Sequence, residues 1–112
     1  MAIKEYKVIV TAPAFNRYSS TILPYLKKYF SPERALDVQQ SIEASVKSIR
    51  QMPGKGSVEP HLMNRSKGYR YILHKESRNF LIKIIYFIDE SNSTVYVTDF
   101  FPTSMNPKKI RY

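Results

Sequence analysis

Tyr69-Arg-Tyr-Ile-Leu-His-Lys75, Phe80-Leu-Ile-Lys-Ile-Ile-Tyr-Phe-Ile88 and Thr94-Val-Tyr-Val-Thr-Asp-Phe-Phe101 are three apolar runs in a row, separated by short polar turns. They predict a three-stranded antiparallel meander. Side chains alternate across a strand, so the faces can be sorted. On the first run Arg70, Ile72 and His74 share one side, and Tyr69, Tyr71, Leu73 and Lys75 share the other. On the second, Phe80, Ile82, Ile84, Tyr86 and Ile88 are expected to face a core, with Leu81, Lys83, Ile85 and Phe87 pointing away. Cations inside strands, at Arg70, Lys75 and Lys83, suggest a sheet that faces something anionic.

Upstream, Lys7-Val-Ile-Val-Thr11 reads as a short strand ended by Ala12-Pro-Ala14. From Phe15 to Phe30, apolar residues recur at Phe15, Tyr18, Ile22, Leu26 and Tyr29, with Tyr25 beside them, which is helical spacing. Pro24 interrupts it and predicts a kink or a late helix start. Ser31-Pro32-Glu33 is a second start: a capping hydroxyl, a proline suited to the first turn, and an acid at the positive end of the dipole. Ala35, Val38, Ile42, Val46 and Ile49 then form one face through Arg50 or Gln51, with Ser45 as a small polar member, and Pro53-Gly54 stops the helix. The short linker predicts an antiparallel helical hairpin. Gly54 to Lys67 has no periodicity and reads as a surface loop exposing Lys55, Arg65 and Lys67. The expected fold is one α+β domain over residues 1–112. It has an N-terminal strand, a two-helix hairpin and a three-stranded sheet with helices on one face and the other partly open.

The chain has 112 residues, one domain by length, and a 43% hydrophobic content that implies a packed core. It has no cysteine, which excludes a disulfide scaffold and thiolate metal sites and suits a reducing cytoplasm. His61 and His74 alone make a poor zinc set, and Gly54-Lys-Gly56 lacks phosphate-loop spacing, so no cofactor is expected. The N-terminal residues lack the shape of a signal peptide, and no apolar run approaches the ~20 residues needed to span a bilayer. Lys and Arg number 18 against 9 Asp and Glu, a net charge of +9. That excess favours nucleic acid or an acidic protein partner, with a solubilising surface as the plain alternative.

Lys7-Val-Ile-Val, the hairpin ending in Ser48-Ile-Arg-Gln-Met-Pro53, Gly68-Tyr-Arg-Tyr-Ile-Leu, the Phe80 to Glu90 run, Thr94-Val-Tyr-Val and Asn106-Pro-Lys-Lys-Ile110 occur in an order and spacing that resembles the RelE/ParE superfamily of bacterial toxins. The resemblance covers nearly the whole chain. It implies a small basic toxin of a type II toxin–antitoxin system, neutralised by an acidic, partly disordered antitoxin. It leaves two mechanisms open: cutting mRNA on the ribosome, or poisoning DNA gyrase without nuclease chemistry. A non-toxic binding module is a third reading.

For the nuclease, a group must take the 2′-hydroxyl proton, cations must stabilise the phosphate, and a donor must protonate the leaving oxygen. By the resemblance, Lys83 matches the central-strand arginine of cleaving members, Arg70 a basic position on the preceding strand, and Tyr112 their terminal aromatic. Lys75, Arg78, Lys108, Lys109 and Arg111 are the expected nucleic-acid contacts. Two features depart from that pattern: Pro102-Thr103 stands where an arginine follows the last strand, and Lys83 lacks the guanidinium fork. No glutamate or histidine is clearly placed as a base. His74 is the best titrating candidate, its plain alternative being a half-exposed strand residue. Tyr18, Tyr25 and Leu36 are the expected antitoxin anchors.

Overall fold

The computed structural model describes residues 5–112, so Lys4 and most of the N-terminal stretch read for a leader lie outside the described residues. Five strands form one mixed sheet in the order β1-β5-β4-β3-β2. They are β1 (Lys7–Val10), β2 (Ser57–Val58), β3 (Arg70–Ser77), β4 (Phe80–Asp89) and β5 (Thr94–Pro102). The expected meander is β3-β4-β5, antiparallel throughout. The expected count of three strands is too small. β1 adds parallel to β5, and β2, cut from the segment read as a loop, adds antiparallel to β3.

Helices cover one face. Thr11 ends β1 and accepts from the Ala14 N–H, opening α1 (Ala12–Arg17). A π-helical turn at Tyr18–Ile22 leads into α2 (Leu23–Tyr29), which carries Pro24 in its first turn. The wide turn answers the proline problem, because an amide-less residue with a bulky ring fits where the regular ladder is interrupted. Two residues later Ser31 accepts from the Arg34 N–H at 3.1 Å and starts α3 (Pro32–Ser48). At the other end Phe15 and Tyr18 border one groove with Ile42 and Val46 of α3, so the arms run antiparallel.

The helix-facing core joins Ile22, Leu26, Val38, Ile42 and Ile49 to Ile82, Ile84, Tyr86, Val95, Val97 and Phe100. Phe15 and Tyr29, placed on the apolar stripe by spacing, are instead 61% and 60% exposed. The wide turn rotates the helix between them; Ala14 takes an inward position in this core, and Arg17 is buried toward Asp99 and Phe101 of β5. In β5 the inward residues are Val95, Val97 and then Phe100, because a bulge opposite Ile85 and Tyr86 admits one extra residue. The bulge turns Asp99 and Phe101 to the far face.

That far face is covered as well. Leu62 from the Pro60–Leu62 turn and Ile110 from the tail pack on Tyr69, Ile85 and Phe101 as a second core. The segment after Pro53 is therefore a partial lid rather than a loose loop, although Lys55, Arg65 and Lys67 are exposed as expected. Among the described residues no helix is long and apolar enough to cross a membrane.

Candidate functional site

Lys83 stands at the middle of β4 on the far face, between Leu73 of β3 and Phe101 of β5. Its ammonium donates to both carboxylate oxygens of Glu59, at 3.2 and 3.1 Å, and lies 4.4 Å from the centre of the Tyr71 ring. The Glu59 side chain is fully buried, while that of Lys83 keeps 18% of its surface. Backbone geometry brings Glu59 there: its N–H donates to the Tyr69 carbonyl at 2.9 Å as β2 leaves the sheet, and its Oε1 accepts from the His61 N–H at 3.3 Å. A buried carboxylate is expensive to desolvate unless it is paired, and Lys83 is its partner. Chemically the pair is a proton acceptor beneath a cation with three donors, and a phosphate reaching this face competes with Glu59 for Lys83.

The other catalytic candidates do not gather around it. Arg70 pairs across from Tyr86 and so belongs to the helix-facing side, where its guanidinium donates to the Gly56 carbonyl at 2.8 Å. His74 shares that side. It is 7% exposed, with Nδ1 3.0 Å from the Ser45 hydroxyl of α3 and Nε2 2.9 Å from Glu76. The polar member of the α3 stripe thus has its partner, and His74 joins helix to sheet. Burial pushes the Glu76 carboxyl up, but hydrogen bonds from His74 and Ser41 and the charges of His74 and Arg34 outweigh it and lower the pKa. Tyr86 is also buried on this side, and burial raises its pKa. Its hydroxyl donates to the Pro53 carbonyl at 2.6 Å and accepts from the Gly56 N–H at 3.0 Å, fixing the start of the lid.

The tail divides its labour. Lys108 and Lys109 are exposed, as are Lys75 and Arg78 at the β3–β4 end. Arg111 is a clasp: its N–H donates to Asp99 at 2.9 Å and its guanidinium to the Pro13 carbonyl at 2.8 Å. Asp99 also holds Arg17 at 3.1 Å with both side chains buried, and Arg17 reaches the Lys109 carbonyl at 2.8 Å. Tyr112 is 55% exposed and packs edge-on to Tyr69, away from Lys83 along the sheet. Of the anchors, Tyr18 and Tyr25 are half-buried against Phe100 and Phe80, and Leu36 is 54% exposed.

Sequence reasoning missed Glu59 and Asp99. Both carry a signal in retrospect. Glu59 is the one acid between Glu43 and Glu76, amid lysines and arginines, and Asp99 interrupts an apolar strand. Among the described residues no cluster of three or more His, Cys, Asp or Glu could hold a metal ion. Comparison with protein-family models, with curated proteins and with solved structures finds no match to this chain.

Proposed function

We propose that the chain is the toxin of a type II toxin–antitoxin system, a ribosome-dependent mRNA endonuclease whose chemistry is carried by Glu59 and Lys83. The supporting observation is the buried carboxylate under a mostly covered ammonium on the far face, a candidate for the base that the sequence pattern lacked. A phosphodiester draws the Lys83 ammonium outward and uncovers Glu59. The 2′-oxygen attacks the neighbouring phosphorus as Glu59 takes its proton. The P–O5′ bond breaks, O5′ takes a proton from Lys83, and the products are a 2′,3′-cyclic phosphate and a 5′-hydroxyl. Glu59 returns its proton to Lys83 across their hydrogen bond, so the protons balance within the pair.

The antitoxin belongs to the same reading. A groove of about 260 Å³ between α3 and the start of the first helical arm has an apolar floor of Phe15, Tyr18, Ile42, Val46 and Phe100 and a polar rim that includes Gln39 and Glu43. An extended partner that seats apolar side chains in the groove and carries its acidic residues outside it, clear of Glu43, suits a chain of net charge +9.

The test is inducible expression in a bacterial host, with growth and mRNA integrity followed for wild type, Glu59→Gln and the charge-free pair Glu59→Gln/Lys83→Met. Arrest with fragmented mRNA, relieved by both variants, is expected. The absence of a cation at the end of β5, where Pro102-Thr103 stands, favours the gyrase reading instead. Arrest with intact mRNA and blocked supercoiling selects that reading, and no arrest at all rejects toxicity.

A further inference from the structure

A second concavity opens on the far face, at the end of β4 away from Lys83. It has a volume of about 630 Å³, and its walls include the rings of Tyr69, Phe87, Tyr96 and Tyr112. Pockets of about 300–1,000 Å³ hold small organic groups. Phe87 and Tyr96 stack at 5.1 Å and 22°, and Tyr69 meets Phe87 edge-on at 5.5 Å. Lys67 lies 4.5 Å from the Phe87 ring centre, and Arg65 lies 4.2 Å from that of Tyr112. Among the described residues neither cation has a carboxylate partner. Asp89 also lines the cleft, but its oxygens are engaged by the Ser91 hydroxyl at 2.7 Å and the Asn92 amide at 2.8 Å.

We propose that this aromatic cleft stacks a base of single-stranded RNA while Arg65 and Lys67 hold the adjoining phosphates. Aromatic rings beside cations that no carboxylate neutralises are the combination that single strands use, because each base offers a flat face and each link a charge. Lys83 and Phe87 point to the same face four residues apart, about 13 Å at ~3.3 Å per strand residue. That is the span of about four stacked nucleotides at ~3.4 Å each. The cleft therefore grips substrate at a distance from the cut. This inference rests on the reading that RNA is the substrate.

The test is fluorescence anisotropy with the full chain and a labelled 12-nucleotide RNA, as single strand and as duplex, beside single-stranded DNA of the same sequence. Tyr112→Leu is the first variant because the ring is largely exposed, and Tyr96→Leu and Lys67→Ala follow, each checked for folding by circular dichroism. Preference for the single-stranded RNA is expected, weakened about tenfold by either tyrosine change. Lys67→Ala is expected to lower the salt dependence by about one ion. Equal binding of the duplex, stronger binding of DNA, no binding, or unchanged affinity in folded Tyr112→Leu and Tyr96→Leu overturns the cleft. Failure of the nuclease reading is distinct: the variants then lose RNA affinity although wild type cuts nothing. Failure of the cleft alone leaves cutting intact with affinity unmoved.

Discussion

The two faces of the sheet are covered by different kinds of structure. On one side lie helices, whose apolar residues recur at regular spacing and meet the sheet in a continuous aliphatic core. On the other lie an irregular segment and a tail, which bring only Leu62 and Ile110 as buried aliphatic anchors. What holds that covering is polar: Asp99 binds Arg17 and the Arg111 backbone, and Arg111 reaches back to Pro13. The difference decides which titratable groups reach solvent. Periodic cover leaves His74 sealed between Ser45 and Glu76, whereas irregular cover leaves Lys83 partly exposed above a carboxylate.

The contrast can be broken at its polar pin. Asp99→Ala strands the Arg17 guanidinium in a buried site, and a loss of about 3–5 kcal/mol in urea unfolding is expected. A loss under 1 kcal/mol would mean that apolar contacts hold the tail. On the helical side, Leu26→Ala opens a cavity in the core, with an expected loss of about 2–5 kcal/mol and no change in RNA cleavage per folded molecule. Reduced cleavage by the folded variant would tie the helix face to the chemistry. At the start of the lid, a Cβ on Gly56 collides with the Tyr86 hydroxyl and comes within 2.7 Å of the Tyr71 carbonyl. Gly56→Ala is expected to cost about 1–3 kcal/mol, read as a lower melting temperature. A neutral result would show that the lid shifts freely.

The smallest effect is acid dependence. The Glu76 carboxyl has a pKa below its ordinary 4.5 in the folded chain, so the stability it adds is complete above that value. That stability is lost as pH falls through the depressed folded value. Unfolding midpoints from pH 6 to pH 3 should fall less steeply for Glu76→Gln than for wild type. Parallel curves would remove Glu76 from the acid response.

Legibility follows the same division. The meander, α3 with its Ser31 cap and the inward residues of β4 were readable because each rests on a strict period or a local cap. The first helical arm was readable as helix, yet Phe15 and Tyr29 were misplaced because a π turn shifts the register without a signal in hydropathy. β2 has two residues, too few to show alternation, and β1 could not be assigned a neighbour from its own sequence. On the far face, Lys83 was legible from strand parity. Its carboxylate partner was not, since Glu59 reaches it from an aperiodic segment 24 residues away. Arg70 and His74 were correctly put together on one side, but only packing reveals that α3 closes over His74.

The most direct measurement compares Glu59→Gln with His74→Gln in a translating extract, mapping the 5′ ends of the mRNA fragments. The account predicts that wild type and folded His74→Gln cut the message, and that Glu59→Gln slows cutting by about 10²–10⁴-fold. Cutting by Glu59→Gln at the wild-type rate, or its loss in folded His74→Gln, would contradict it.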